Sequence, residues 1–229
     1  MPFDRQSHWD GRYRRIGSER VSWHEAEPSR SLEIVAASGV PVTAAVIDVG
    51  GGASNLAGEL VARGHVDVTV LDISEEAIRD ARSRVQDPDA IEWMHADLLD
   101  WTPPRRWGLW HDRAVFHFLT EPSERDVYRR LLRDAVVPGG VVLITTFAVH
   151  GPESCSDLPV RRYDATHLLE ELGPGFTKIT HGRYIHVTPS GGEQPMTWVA
   201  ARFGSQSSDT ANQPLGATSD PSRGAYWSK

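Results

Sequence analysis

The chain has 229 residues, a formal net charge of -7, 39% hydrophobic residues and eight tryptophans. That is one ordinary domain with enough apolar mass for a core, and its acidic balance disfavours non-specific nucleic-acid binding. The single cysteine, Cys155, excludes an intrachain disulfide, and the ten histidines lack ligand-like spacing with it, so no metal site is expected. Met1 to Asp10 is polar, without the apolar stretch of a secretory signal. No apolar run approaches bilayer length, so a cytoplasmic protein without membrane partners is the expectation.

Phe3 to Ile16 carries Trp9, Tyr13 and Ile16 among charged residues, which predicts an amphipathic helix. Trp23 follows in a loop, either as a packed aromatic or as a cover that excludes water from a ligand. Ser29 to Ser38 reads as a second helix, capped near Ser29 or Ser31 and ended by Gly39. Ala44 to Ile47 is an apolar run that reads as a buried parallel strand. It leads into Asp48 and then Gly50-Gly51-Gly52, a tight turn in which glycine can take φ > 0 and let a ligand approach the main chain. Asn55 to Arg63 reads as a helix, and Val68 to Leu71 as a second strand ending in Asp72. Two strands with a crossover helix, each tipped by a carboxylate, make one mononucleotide-binding half of a doubly wound sheet. Ser74 is the expected N-cap of a helix from Glu75 to Val85, with Glu75 and Glu76 favouring the dipole. Ile91 to Ala96 is the third strand and delivers Asp97.

Trp101 to Arg106 is a Pro-rich loop. Trp107 opens a fourth strand, and His111 to Leu119 spans its end and the following loop. That loop lies beside the topological switch point where ligands bind, so substrate chemistry is expected there. Ser123 to Val136 reads as a helix, with Ser123 and Asp126 as a capping-box-like start. Pro138-Gly139-Gly140 is a sharp turn before Val141 to Phe147, which is apolar throughout as a central parallel strand should be. His150 to Leu158 is a loop, and Ala165 to Leu172 a short helix. Phe176 to Val187 and Met196 to Phe203 close the chain as an antiparallel hairpin. The expected fold is α/β: one doubly wound, Rossmann-like sheet of seven strands, parallel with a C-terminal antiparallel hairpin, in a single domain. Residues 1–40 are expected to form a helical cap or lid, 41–203 the domain proper, and 204–229 a disordered tail rich in Ser, Gly, Asp, Gln and Pro.

The string Asp48-x-Gly50-x-Gly52, with Asp72 closing the next strand, resembles motif I and the acidic loop of class I S-adenosylmethionine-dependent methyltransferases. Ser54 stands where that family usually has a third glycine. A nicotinamide dinucleotide site needs G-x-G-x-x-G, which Asn55 breaks. Charge agrees: Asp48 repels a pyrophosphate and attracts a sulfonium with its α-amino group. The resemblance implies S-adenosylmethionine as cofactor, held by Trp23, Asp48, Gly50, Gly51, Gly52, Asp72, Ile73, Asp97, Leu98 and His111. In it, Asp72 accepts from the ribose hydroxyls and Asp97 from the adenine amine; the plainer readings are a turn capped by Asp48 with a solvated Asp72, and Asp97 as a helix or turn cap.

The opening Trp9-Asp10-x-Arg12-Tyr13, then Trp23-His24 and Pro28, with Asp112-Arg113-Ala114 after the fourth strand, resembles the thiopurine methyltransferase-like group. That likeness implies an Arg113 contact to the acceptor, and a small thiol, selenol or nitrogen heterocycle as acceptor. Asp112, His117 and His111 are candidate bases. Each has a plainer reading: Asp112 as an arginine's ion-pair partner, His117 as a satisfied core histidine, His111 as a hydrogen-bonded strand residue. Two further functions stay open. One is a protein lysine N-methyltransferase, which the acidic balance would suit. The other is a non-catalytic S-adenosylmethionine-binding partner protein.

Overall fold

The computed structural model describes residues 3–204, and the expected tail beyond Gly204 lies outside the described residues. Two helices come first, α1 (Arg5–Ile16) and α2 (Ser29–Ala37). An alternating series follows: β1 (Val46–Val49), α3 (Leu56–Ala62), β2 (Val68–Asp72), α4 (Glu75–Arg84), β3 (Ile91–His95), β4 (Trp107–Arg113), α5 (Pro122–Ala135) and β5 (Val136–Phe147). A two-stranded ribbon, β6 (Ser154–Cys155) and β7 (Leu158–Pro159), interrupts the expected loop. The chain then closes with α6 (Ala165–Leu172), β8 (Phe176–Val187) and β9 (Glu193–Phe203).

Seven strands form one sheet in the order β3-β2-β1-β4-β5-β9-β8. β9 runs antiparallel to β5 and β8, while the other six strands share one direction. β1 and β2 are buried at every residue, as strands covered on both faces must be. One face packs Ile47, Val49, Trp110, Tyr128 and Leu132 together. The other packs Ile34, Val46, Leu60, Leu109 and Leu143. The order reverses at β1, so the crevice at the carboxyl ends of β1 and β4 is the topological switch point.

Several boundaries differ from expectation, among them β9, which begins at Glu193 and not at Met196. α5 begins at Pro122 rather than Ser123, with proline at its first helical position. The Glu121 N–H donates to Glu124 Oε2 at 3.2 Å, so the reciprocal start belongs to this pair and not to Ser123 and Asp126. β5 begins at Val136, and Pro138-Gly139-Gly140 is an irregular stretch inside it, with Gly139 at φ +83°. Neither Ser29 nor Ser31 caps α2, whose cap position is Pro28.

Candidate active site

β1, β2 and β3 carry Asp48, Asp72 and Asp97 at or just beyond their carboxyl ends. Gly50 takes φ +63° and Gly52 takes φ +49°. A Cβ on Gly52 would stand 2.7 Å from Tyr13 Oη and 3.0 Å from Asp72 Oδ2. The turn therefore leaves a cradle that a side chain would fill. Asp72 Oδ1 accepts from the Ser74 N–H at 2.7 Å. The rest of this carboxyl is buried in the wall of the main cavity, and burial, helped by the nearby Asp48 charge, raises its pKa to about 7. Such a group gains from two hydroxyl donors. Asp97 Oδ1 accepts from the Leu99 N–H at 2.9 Å, and its Oδ2 faces Arg5 at 3.6 Å. Val49, Leu71, Ile73, Leu98 and Val115 supply apolar walls between these acids. Flat apolar walls with carboxylates at the edges suit an adenosine group, so the residues present fit the nucleoside that the sequence implied.

A second, smaller cavity adjoins the first across Trp23, Gly50 and Arg113. It contains Asp48, Gly51, Ser31 and His111 in its walls. Parallel register sets Asp48 beside His111 on one face of the sheet. The His111 Nδ1 meets Asp48 Oδ1 at 2.7 Å, and its Nε2 meets Ser31 Oγ at 3.0 Å. All three side chains are buried. This chain holds the Asp48 carboxylate at the glycine turn, and both ring nitrogens are committed to it. His111 therefore lies within the site as a holder of Asp48, not as a base at the acceptor end.

The register also sends Asp112 to the opposite face from His111. There it accepts from Tyr128 Oη at 2.6 Å and from the Val115 and Phe116 N–H groups at 2.9 and 3.3 Å. It is fully buried and absent from both cavity walls. Burial pushes its pKa up to about 6. The expected role of Asp112 as a base is therefore replaced by a structural one. It ties down the turn through Ala114, whose φ is +70°.

Arg113 borders both cavities, and each of its three nitrogens donates to the protein. Nη1 donates to Trp23 O at 2.9 Å, Nη2 to Glu25 Oε1 at 2.8 Å and His186 Nδ1 at 3.2 Å, and Nε to Tyr184 Oη at 3.4 Å. Arg113 thus anchors the segment that carries Trp23 while standing in the walls of both cavities. His117 sits in the wall of the main cavity beneath Phe118 and Phe147. Its Nδ1 accepts from the Phe147 N–H at 3.4 Å, and Nε2 has no protein partner. Burial, with Arg113 nearby, lowers its pKa to about 3. It is held neutral with weakened basicity, and its Nδ1 lone pair is taken up by the Phe147 N–H.

α1 and the segment after it cover the main cavity with Arg5, Trp9, Tyr13 and Trp23. Trp23 Nε1–H donates to Tyr13 Oη at 3.2 Å, and Trp9 meets the edges of Trp23 and Phe118. Asp10, on the other side of α1, accepts from Ser74 Oγ at 2.7 Å and from the Glu76 N–H at 3.2 Å. Sequence reasoning missed Tyr13, Glu25, Ser31 and Tyr128 as parts of the site. Glu25 adjoins the Trp23-His24 string, but nothing local marks Ser31 or Tyr128.

The sequence model of the "Methyltransferase domain" family matches residues 46–140. A trans-aconitate 2-methyltransferase from Azoarcus sp. (strain BH72) is 32% identical over 151 residues, which is 64% of this chain and 52% of that protein. One from Sinorhizobium fredii (strain NBRC 101917 / NGR234) is 36% identical over 87 residues, 38% of this chain and 30% of that protein. The chain thus spans about half or less of the curated relatives it matches. A structure solved in work on the conversion of a disulfide bond into a thioacetal group during echinomycin biosynthesis superposes with a TM-score of 0.73. It is 21% identical and covers 90% of this chain and 94% of its own. The glycopeptide N-methyltransferase MtfA bound to S-adenosylmethionine gives 0.60 at 17% identity, covering 77% and 94%. The chain has the Rossmann-like fold of these methyltransferases, and residues 46–140 are similar to the methyltransferase-domain family.

Proposed function

We propose that the protein transfers a methyl group from S-adenosylmethionine to a small-molecule nucleophile. One observation carries this reading: Asp48 with the Gly50–Gly52 turn, Asp72 and Asp97 converge from three adjacent strand ends on adjoining cavities that continue past β4 and β5. In this reading Asp72 takes the ribose hydroxyls and Asp97 the adenine amine. Ile73 and Leu98 border the base. Asp48, held by His111, faces the cationic methionine end across the glycine turn. Trp23, with α1, is the lid. When bound, the cofactor supplies an activated methyl carbon, so the protein's work is alignment and exclusion of water. Asp112 and Arg113 act as positioning residues, the first on the turn before His117 and the second on the lid segment.

The thiopurine methyltransferase-like resemblance supports a thiol, selenol or heterocyclic nitrogen as acceptor. The trans-aconitate relatives support a small molecule, though of another chemistry. Enclosure of the cavity by Trp9 and Trp23 favours a small acceptor over a protein side chain. The test is calorimetric titration of the full chain with S-adenosylmethionine, S-adenosylhomocysteine and NADH, with Asp72→Ala as control. Binding of both adenosyl ligands, at least tenfold weaker in the variant, is the expected result. Preference for NADH, or no adenosyl binding, would overturn the reading.

A further inference from the structure

Beyond β4 and β5 the main cavity turns away from Asp72 and Asp97. Its walls there include Trp9, Phe118, Phe147, Met196, Cys155 and the His117 ring, with Gln194 adding one uncharged amide. This end is aromatic and polarisable, and two features of its charges stand out. First, it offers no free cation among the described residues. Arg113 is paired with Glu25, and each of its three nitrogens already donates to the protein. Arg5 borders the cavity at the other end and is paired with Glu124 and Asp97. An anionic acceptor would lose its water here without gaining a counter-charge, a costly transfer. Second, among the described residues this end offers no group placed to take a proton. His117 is neutral with a strongly lowered basicity, Asp112 is sealed behind Tyr128, and burial raises the Cys155 thiol. The His186 Nε2 is bound to Ser22 O at 2.8 Å and its Nδ1 faces Arg113.

We infer that the acceptor is a neutral nucleophile that needs no deprotonation, a thioether sulfur or a pyridine-type ring nitrogen, and that the methylated product is an onium cation. The inference rests on the methyl-transfer reading above, keeps its heterocyclic nitrogen and sets aside its thiol and selenol acceptors. The balance is simple. The acceptor's lone pair forms the new bond to the methyl carbon, and the old carbon–sulfur bond breaks with its electron pair left on S-adenosylhomocysteine. The positive charge passes to the acceptor, and no proton moves. An aromatic wall then faces the product cation. Trp9 stands 5.1 Å from Phe118 and 5.8 Å from Trp23 between ring centroids, and ring faces at such sites attract ammonium-like and sulfonium-like ions.

The experiment begins by measuring S-adenosylhomocysteine binding to the full chain; its absence would sink the underlying reading. The loaded protein is next titrated with 1-methyl-4-phenylpyridinium, phenyldimethylsulfonium and biphenyl-4-carboxylate. At least tenfold tighter binding of the two cations than of the carboxylate is expected. The preference should fall several-fold in Trp9→Leu and be largely retained in Trp9→Phe, with S-adenosylhomocysteine binding used to verify that each variant is folded. Transfer of labelled methyl is finally compared for 4-phenylpyridine, thioanisole, benzyl mercaptan, biphenyl-4-carboxylate and trans-aconitate. Transfer to 4-phenylpyridine or thioanisole ahead of the other three supports the inference. Equal or tighter carboxylate binding, faster methylation of the thiol or a carboxylate, or no methylation of either neutral compound overturns it while leaving cofactor binding intact.

Discussion

Asp72 illustrates how burial sets the chemistry of a single residue. Its folded pKa of about 7 lies above the ordinary carboxylate value because the side chain is buried beside Asp48. The native state therefore holds a proton that the unfolded state has released, between about pH 4 and about pH 7. Linkage then makes stability fall as pH rises through that window, and Asp112, raised to about 6, adds to the same slope. We expect Asp72→Asn to flatten the slope and to exceed the wild type in stability at pH 8 by a few kcal/mol. The advantage should shrink towards pH 4. Denaturant titrations at several pH values, without ligand, check this. An unchanged slope would show that water reaches the carboxylate. Arg113 makes the opposite case, a partly buried cation whose partners all lie elsewhere in the chain. Arg113→Met leaves the partly buried Glu25 without its arginine partner, which should cost about 2 kcal/mol in a denaturant titration. Arg113→Lys should recover only part of that, because one ammonium cannot reach Trp23 O, Glu25, His186 and Tyr184 together.

Among the elements, α1 is held by few but specific contacts. Asp10 caps the start of α4 from outside, accepting from Ser74 Oγ and the Glu76 N–H, while Ser74 itself caps the Ala77 N–H. Asp10→Ala should therefore cost about 1 kcal/mol. It should also speed amide exchange through α1, because the lid loses its tether to α4. Exchange that accelerates in α4 alone would mean that α1 is held by its aromatics instead. The β1–α3 turn is constrained differently. Gly52 is pinned between Tyr13 and Asp72 at positive φ, so the lid and the acidic strand end meet over one missing Cβ. This explains why the glycines were legible as a turn but their contact with Tyr13 was not. A motif reports the local backbone, whereas the residue that closes over it comes from forty positions away.

For the whole molecule, the fold places the two cavities along the switch point of a single sheet and lays the N-terminal segment across them. A ligand bound there bridges β1, β2, β3, α1 and the Trp23 segment, so it should stabilise the folded chain globally. At one hundred times its dissociation constant, S-adenosylhomocysteine should add about 2.7 kcal/mol, which for a domain of this size raises Tm by about 5–10 °C. NADH should leave Tm unchanged. The sequence by itself determined the strand order class, the glycine turn, the three acids at strand ends and the closing hairpin. Each is written in local periodicity or in a short motif: apolar runs, glycine at a turn, an acid where a strand stops. Tertiary structure alone decided what the residues after β4 do. His111 and Asp112 are neighbours in sequence, but a strand sends successive side chains to opposite faces. One therefore holds Asp48 and the other is locked by Tyr128. Both faces of β4 are buried, so no alternation of polar and apolar residues marks which is which. Arg113 and His117 likewise take their roles from Glu25, Trp23 and Phe147, partners that only the packed chain brings within reach.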